Sequence, residues 1–278
     1  MKQTTPHRMP KEWMHESHAA PEGGRLDVYC PVSNPEWIPI GLEWWRRHLH
    51  GLEQVRDHHW GGRVECGMAG ADGTLCYFKR FTARNPRYLY KVQRARHAVV
   101  HEHHIRRFGF NVPDTVCLLE RRRFGIVVES GMLSLAVRDS HKVSQIFNAG
   151  AGGLIQSTAD KRHLLRRVAE EVGRWHNAGL FHGDLHLGNL FCQRQGDQFR
   201  FYWLDNEEGR IYRRLPVSRR VHDLNHIVRQ RHRLTVTDRM RLWKSYVRVT
   251  DLSGAEQEKV LRAVARKSRA FWKKKGWL

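Results

Sequence analysis

The sequence predicts an α+β fold in two lobes, a small β-rich first lobe and a larger helical second lobe. Turn signals and short apolar strands crowd the stretch from Trp60 to Val128, whereas helix-periodic stretches dominate after Glu129. The chain has 278 residues, enough for two modest domains or one bilobal one, and its 40% hydrophobic share can still build a core. The expected division is an irregular segment over residues 1–36, a first lobe over 37–129 and a second over 130–278, joined near Glu129-Ser130.

Taken in order, residues 1–36 mix Pro, His, Gly and charge without a strand or helix period, so they are expected to be mostly irregular. Ile38, Leu42, Trp45 and Leu49 recur at near-helical spacing and predict a short amphipathic helix within 37–52. Gly61-Gly62 marks a turn. Asp72-Gly73 signals a tight hairpin into a strand from Leu75 to Phe81. The stretch Arg87–Phe108 lacks Pro and Gly and carries Val92, Val99, Val100 and Ile105, which predicts a helix stopped by Gly109. Val116–Leu119 and Gly125–Val128 predict a second hairpin around Arg121-Arg122-Arg123. Further on, Asp160 is placed to cap a helix with the apolar face Leu164, Leu165, Val168, Val172 and Trp175, ending at Gly179. Short strands are expected at Leu190-Phe191-Cys192 and over Phe199–Leu204, then helices over 223–231, 238–249 and 255–275. Ser253-Gly254-Ala255-Glu256 is a capping box for the last.

Bulk charge narrows the partners. Lys plus Arg is 49 against 28 for Asp plus Glu, a net charge of +21 that calls for an anionic partner. Nucleic acid is not expected, because no RNA-stacking aromatic motif or zinc-knuckle spacing occurs. Cys30, Cys66, Cys76, Cys117 and Cys192 form no C-x-x-C pair, as expected of free thiols in a reducing compartment. The N-terminus lacks an apolar signal-peptide core, and no apolar run approaches the roughly 18 residues of a membrane span. The expected location is therefore the cytoplasm, against a membrane face. His97, His101 and His104 share one helical face, but no fourth ligand is indicated, and zinc is not assigned there. The last helix pairs Val260, Leu261, Val264, Phe271 and Trp272 with a basic face; such a stripe packs on its own domain more often than on a membrane.

The chemistry is concentrated in His182-Gly183-Asp184-Leu185-His186-Leu187-Gly188-Asn189, followed by Trp203-Leu204-Asp205. This is the H-x-D-x-x-x-x-N spacing of a kinase catalytic loop, with Gly where protein kinases usually carry Arg. Phosphoryl transfer needs one acid to orient the acceptor hydroxyl and take its proton, and an amide and a second acid to hold magnesium. Asp184 takes the first role; Asn189 and Asp205 take the metal. A polar turn is the bland alternative for this loop, and Asp205 alone would be an ordinary strand-end acid. Lys79 shares a strand face with Tyr77 and Phe81, which favours an inward lysine that meets nucleotide phosphates; Arg80, on the other face, is the bland charge. Glu102 is the acid available in the following helix to hold Lys79. Gly61 and Gly62 offer backbone amides to phosphate, although no G-x-G-x-x-G is spelled. Glu129 and Ser130, at the expected join, are counted with the nucleotide-binding residues. Asp223 either caps its own helix or hydrogen-bonds the catalytic loop from below. Glu207 either adds a metal contact or faces solvent.

Together Tyr77-Phe78-Lys79-Arg80, the helix leading into His182–Leu190, Leu204-Asp205 and Asp223-Leu224 resemble the lipopolysaccharide kinase family, the heptose and Kdo kinases of the inner core. The resemblance spans about residues 60–230. It implies a bilobal protein-kinase-like fold, ATP beneath Lys79 and Mg2+ at Asn189 and Asp205. It also implies phosphorylation of a core sugar of lipopolysaccharide by a protein peripheral to the cytoplasmic face of the inner membrane. Asn206 departs from the apolar residue often found after the metal acid, and Gly109 ends the Glu102 helix early. The competing readings are a kinase of a protein or small-molecule hydroxyl and a nucleotide-binding scaffold without turnover. The positive charge argues against cationic aminoglycoside acceptors, and retention of Lys79, Asp184, Asn189 and Asp205 argues against the scaffold.

Overall fold

A computed structural model describes residues 2–3, 8–47, 54–57, 62–71, 74–83, 85–149, 155–196, 198–230 and 234–277. The chain divides into two compact units, Pro6–His104 with Pro113–Arg138, and Met1–Thr5 with Ile105–Val112 and Asp139–Leu278. The strand β1 (Lys2–Gln3) belongs to the second of these.

The β-rich unit is built on a seven-stranded antiparallel sheet. Its strands are β2 (Trp13–Ala19), β3 (Arg25–Pro31), β4 (Gln54–Asp57), β5 (Gly62–Ala71), β6 (Thr74–Ala83), β7 (Thr115–Arg123) and β8 (Ile126–Leu135). They lie in the order β2-β3-β7-β8-β6-β5-β4. The segment expected to be irregular thus supplies a full hairpin. Leu26, Val28 and Cys30 alternate inward on β3, but β2 lies at the sheet edge with mostly exposed side chains, so its half of the period is missing from the sequence. Helix α1 (Trp37–Arg47) covers one sheet face with Ile38, Trp44 and Trp45, against Val28, Phe78, Cys117, Leu119 and Leu133. Residues 48–52 of the expected helix lie outside the described residues. The expected Arg87–Phe108 helix is broken: a single 3-10 turn at Pro86–Tyr88 leads into α2 (Leu89–Val92) and then α3 (Arg94–Arg107). Ala95, Ala98 and Val99 of α3 cover the opposite sheet face, with Phe81, Leu118 and Met132. Residues 72–73 also lie outside the described residues; on either side, Ala71 pairs with Thr74. The second hairpin turns at Phe124-Gly125, both at positive φ as a type I′ turn needs.

The join near Glu129-Ser130 requires correction. Both residues sit inside β8, where Glu129 pairs with Thr82 and Ser130 with Phe81, and the ladder continues to Leu135 opposite Cys76. The division falls instead between Arg138 and Asp139. A strand cannot be cut while both its edges are still bonded.

The helical unit contains β9 (His141–Lys142), α4 (Val143–Ala149), α5 (Thr158–Asn177), β10 (Leu180–Phe181), β11 (Leu190–Gln195), β12 (Gln198–Trp203), β13 (Arg210–Tyr212), α6 (Val217–Val228), α7 (Val236–Val249) and α8 (Gly254–Lys274). Helix α5 packs on α7 and α6 on α8. Its core gathers Leu164, Leu165, Val168, Val172 and Trp175 of α5 with Leu190, Trp203, Leu224, Tyr246 and Val260. The cap of α5 is Ser157, whose hydroxyl accepts the Asp160 N–H; Asp160 sits one turn inside and accepts in return from Gln156 N–H and the Ser157 hydroxyl. A Ser at N-cap with an acid at N3 outcompetes an acid alone. The α8 capping box of Ser253 and Glu256 forms as expected, and α7 carries a second, of Thr235 and Asp238.

Candidate active site

The candidate catalytic loop, His182–Asn189, is held between three elements of the helical unit. Helix α5 ends at Gly179, whose φ of +78° only glycine adopts readily. A side chain there would also place its Cβ 1.9 Å from the Tyr212 carbonyl oxygen. The chain reverses through β10 into His182, and the buried carboxylate of Asp223 on α6 receives it. Its Oδ2 accepts His182 N–H at 2.9 Å and its Oδ1 accepts Gly183 N–H at 3.1 Å. Burial alone would raise the Asp223 carboxyl, but the hydrogen bond with His176 at 3.4 Å and the nearby His222 ring, 3.6 Å away, outweigh it and hold the group well below the ordinary carboxylate range.

His182 ties this loop to the segment after β12 that carries Asp205. Its ring is buried, its Nε2 lies 2.8 Å from the Leu204 carbonyl and its Nδ1 accepts Asp184 N–H at 3.3 Å. With Nδ1 accepting, the proton sits on Nε2, so the ring is neutral and bridges the residue before Asp205 to the backbone of Asp184. Asn189 closes the loop. Its side-chain N–H donates to the Asp184 carbonyl at 3.0 Å, and its carbonyl accepts Leu204 N–H at 2.9 Å. The amide nitrogen is thus engaged, and Oδ1 is the atom of Asn189 suited to a cation. Asp205 is exposed and left-handed, with φ of +57° and ψ of +48°, a conformation that Asp tolerates better than most residues. Behind it, Trp203 stacks on Trp175 at 3.8 Å and donates its indole N–H to Glu171. The next residue, Asn206, is buried and bonds the Trp203 carbonyl. Glu207 is half-buried.

The Asp184 carboxylate is half-exposed and faces two histidines, His226 Nδ1 at 3.1 Å from Oδ1 and His186 Nε2 at 3.9 Å from Oδ2. The hydrogen bond from His226, against the opposing effect of burial, holds Asp184 down to about 2. Burial keeps His186 neutral despite Asp184 and Asp205 nearby. The His186 Nδ1 accepts Gly188 N–H at 3.0 Å, and a Cβ at Gly188 would stand 2.9 Å from that ring. At neutral pH Asp184 is therefore an oriented carboxylate of low basicity, suited to aligning a hydroxyl and accepting its proton late.

In the β-rich unit, Lys79 on β6 is half-buried, with its ammonium 5.5 Å above the Phe81 ring. Glu102 on α3 is buried and accepts the Thr115 hydroxyl at 2.8 Å. Gly61 lies outside the described residues, and Gly62 opens β5 opposite Ala83. The side chains of Glu129 and Ser130 are engaged within the unit: Glu129 pairs with Arg80 at 2.6 Å and Arg121 at 2.9 Å, and the Ser130 hydroxyl donates to the Val92 carbonyl. Arg80 is not a bland surface charge. It is buried, with its guanidinium 4.6 Å from the Trp45 ring, and Glu129 neutralises it.

The histidines His176 and His226 carry no loop motif and were not legible as site residues. The α6 reading of Asp223 was legible only as one of two alternatives.

Asn189 and Asp205 offer hard oxygen donors, the kind that magnesium takes alongside substrate phosphates. Among the described residues, no group of three or more His, Cys, Asp or Glu is arranged to hold a metal ion.

A family model described as "Lipopolysaccharide kinase (Kdo/WaaP) family" matches residues 44–246. A solved structure of WaaP in complex with acyl carrier protein is similar over 82% of this chain and 92% of that one, with a TM-score of 0.57 at 18% identity. A MAP kinase from Leishmania major is similar over 82% of this chain and 66% of that one, with a TM-score of 0.39 at 13% identity. The search of curated proteins finds no match. The likeness to WaaP is one of fold, and it is the α+β, protein-kinase-like class that the sequence predicts.

Proposed function

The chain belongs to the lipopolysaccharide kinase (Kdo/WaaP) family, and from that premise we propose that it transfers the γ-phosphoryl group of ATP to a heptose or Kdo hydroxyl of the lipopolysaccharide inner core. The arrangement of Asp184, Asn189 and Asp205 carries this reading, because one buried histidine, His182, fixes the two acidic positions to a common frame. Asn189 Oδ1 and the Asp205 carboxylate would hold magnesium, and Lys79, kept in place by Glu102, would meet the phosphates. Magnesium-bound nucleotide, when present, supplies the phosphoryl group and neutralises its charge. Asp184 orients the acceptor hydroxyl through an oxygen of its ionised carboxylate and takes the proton as the oxygen–phosphorus bond forms.

The acceptor is an anionic, membrane-anchored sugar, and the charge of the chain suits it. We place the protein on the cytoplasmic face of the inner membrane as a peripheral protein. Among the described residues, no helix is long and apolar enough to cross a membrane. A groove between α5 and α7 is lined by Arg162, His163, Arg166, Arg241, Lys244 and Arg248, and it suits anionic headgroups.

Purified protein given magnesium and labelled ATP should phosphorylate core oligosaccharide, and Asp184→Ala should abolish transfer while leaving nucleotide affinity within about threefold. Label appearing on protein side chains alone would assign a different acceptor, and nucleotide binding without turnover by the wild type would refute the proposal.

A further inference from the structure

A carboxylate that must align a hydroxyl has two chemically equivalent oxygens and turns about its terminal bond. Something has to decide which oxygen faces the substrate. His186 is badly placed for this. Its Nδ1 accepts from Gly188, which leaves the proton on Nε2, yet Nε2 stands 3.9 Å from Oδ2, beyond hydrogen-bond range. His226 is well placed. Its Nδ1 lies 3.1 Å from Oδ1, its side chain is only 15% exposed, and its ring stacks on His222 at 4.5 Å.

Two groups meet the same His226 nitrogen, and their chemistry decides its proton. The Arg229 guanidinium lies 3.4 Å from Nδ1 and can only donate; the ionised Asp184 lies closer and can only accept. The shorter contact makes Nδ1 the donor to Asp184. The same helix presents Asp223, which holds the backbone of His182 and Gly183, and one turn later His226, at the side chain of Asp184. Backbone and carboxylate are thus referred to one rigid element, α6.

We infer that His226 is a positioning residue for phosphoryl transfer: its Nδ1–H fixes Oδ1 of Asp184 and leaves Oδ2 to receive the acceptor hydroxyl. This rests on the role of Asp184 proposed above. Misplacing a reacting group by about 1 Å can cost on the order of 100-fold in rate, so the loss of this contact should appear in kcat.

The test compares His226→Leu, which removes the donor, with His226→Asn, whose amide N–H can occupy the place of Nδ1, and with Asp184→Ala. His226→Leu should lower kcat about tenfold or more with the KM for ATP within about twofold, and His226→Asn should regain most of that loss. Thermal melts of all three report folding. Three results would overturn the inference while leaving the role of Asp184 intact: His226→Leu at wild-type rate while Asp184→Ala is inactive; His226→Asn no better than His226→Leu; or a kcat loss that merely tracks a lowered melting temperature. An active Asp184→Ala would instead overturn the reading on which the inference stands.

Discussion

Asp223 is a buried acid whose two oxygens accept the N–H groups of His182 and Gly183, with His176 Nε2 at 3.4 Å from Oδ2. His176 is itself buried and kept neutral by that burial, against the pull of Asp223, and its Nδ1 meets the Tyr246 hydroxyl at 2.9 Å. Asp223→Asn would turn an amide nitrogen toward backbone donors, so it should cost about 2–4 kcal/mol at neutral pH. The pH dependence has a definite sign. The folded carboxyl lies below its unfolded value of about 3.9. Its stabilisation is therefore complete above that unfolded value and is lost as pH falls toward the folded one. Urea midpoints of wild type and Asp223→Asn should differ by a constant amount from pH 7 to about 5 and converge below about 4. A gap that widens in acid would contradict this account. The same scale explains part of the charge. Arg121 and Arg122 pair inside the β-rich unit with Glu129, and with Asp27 and Glu120.

The element that aims the proposed catalytic loop is the end of α5. The pattern Leu164, Leu165, Val168, Val172, Trp175 predicts this helix, and all five side chains are fully buried. Gly179 stops it where a side chain has no room against the Tyr212 carbonyl. Gly276 also has a positive φ, but nothing lies near its missing side chain. Both Gly→Ala changes should cost about 1 kcal/mol for the left-handed backbone, but Gly179→Ala should cost more and lower kcat, because β13 or β10 must shift. Melting temperatures and turnover of the two variants check this; equal losses would show that the close approach does not matter. Helix α8 was also legible. Val260 and Val264 are buried within its own unit, while Arg262, Arg266, Arg269 and Lys273 line a groove on its other side. The hairpin of β2 and β3 was not legible, since an edge strand exposes one face to water and carries no apolar alternation there.

For the molecule as a whole, the +21 charge favours anionic partners. The α5–α7 groove holds five Arg or Lys side chains, and the carboxylate of the one acid lining it, Asp160, is occupied in capping α5. Near an anionic surface each such cation contributes about 1 kcal/mol. Reversing Arg162, Arg166 and Lys244 to Glu should abolish sedimentation with phosphatidylglycerol vesicles, and raising the salt should weaken wild-type binding. Unchanged binding by that variant would assign the proposed vesicle contact to another surface, the α8 groove first. By itself, the sequence determined what depends on neighbours along the chain: the helix periods, the cap of α8, and the loop spacing of Asp184, Asn189 and Asp205. The tertiary structure alone decided that Arg80 is buried and that Asp223 and His226 hold the loop. The contacts that decide these run between residues 40 to 49 positions apart. Hydrogen bonds across such distances follow no local period; they exist only once the elements have packed and burial has made an unpaired donor or acceptor costly.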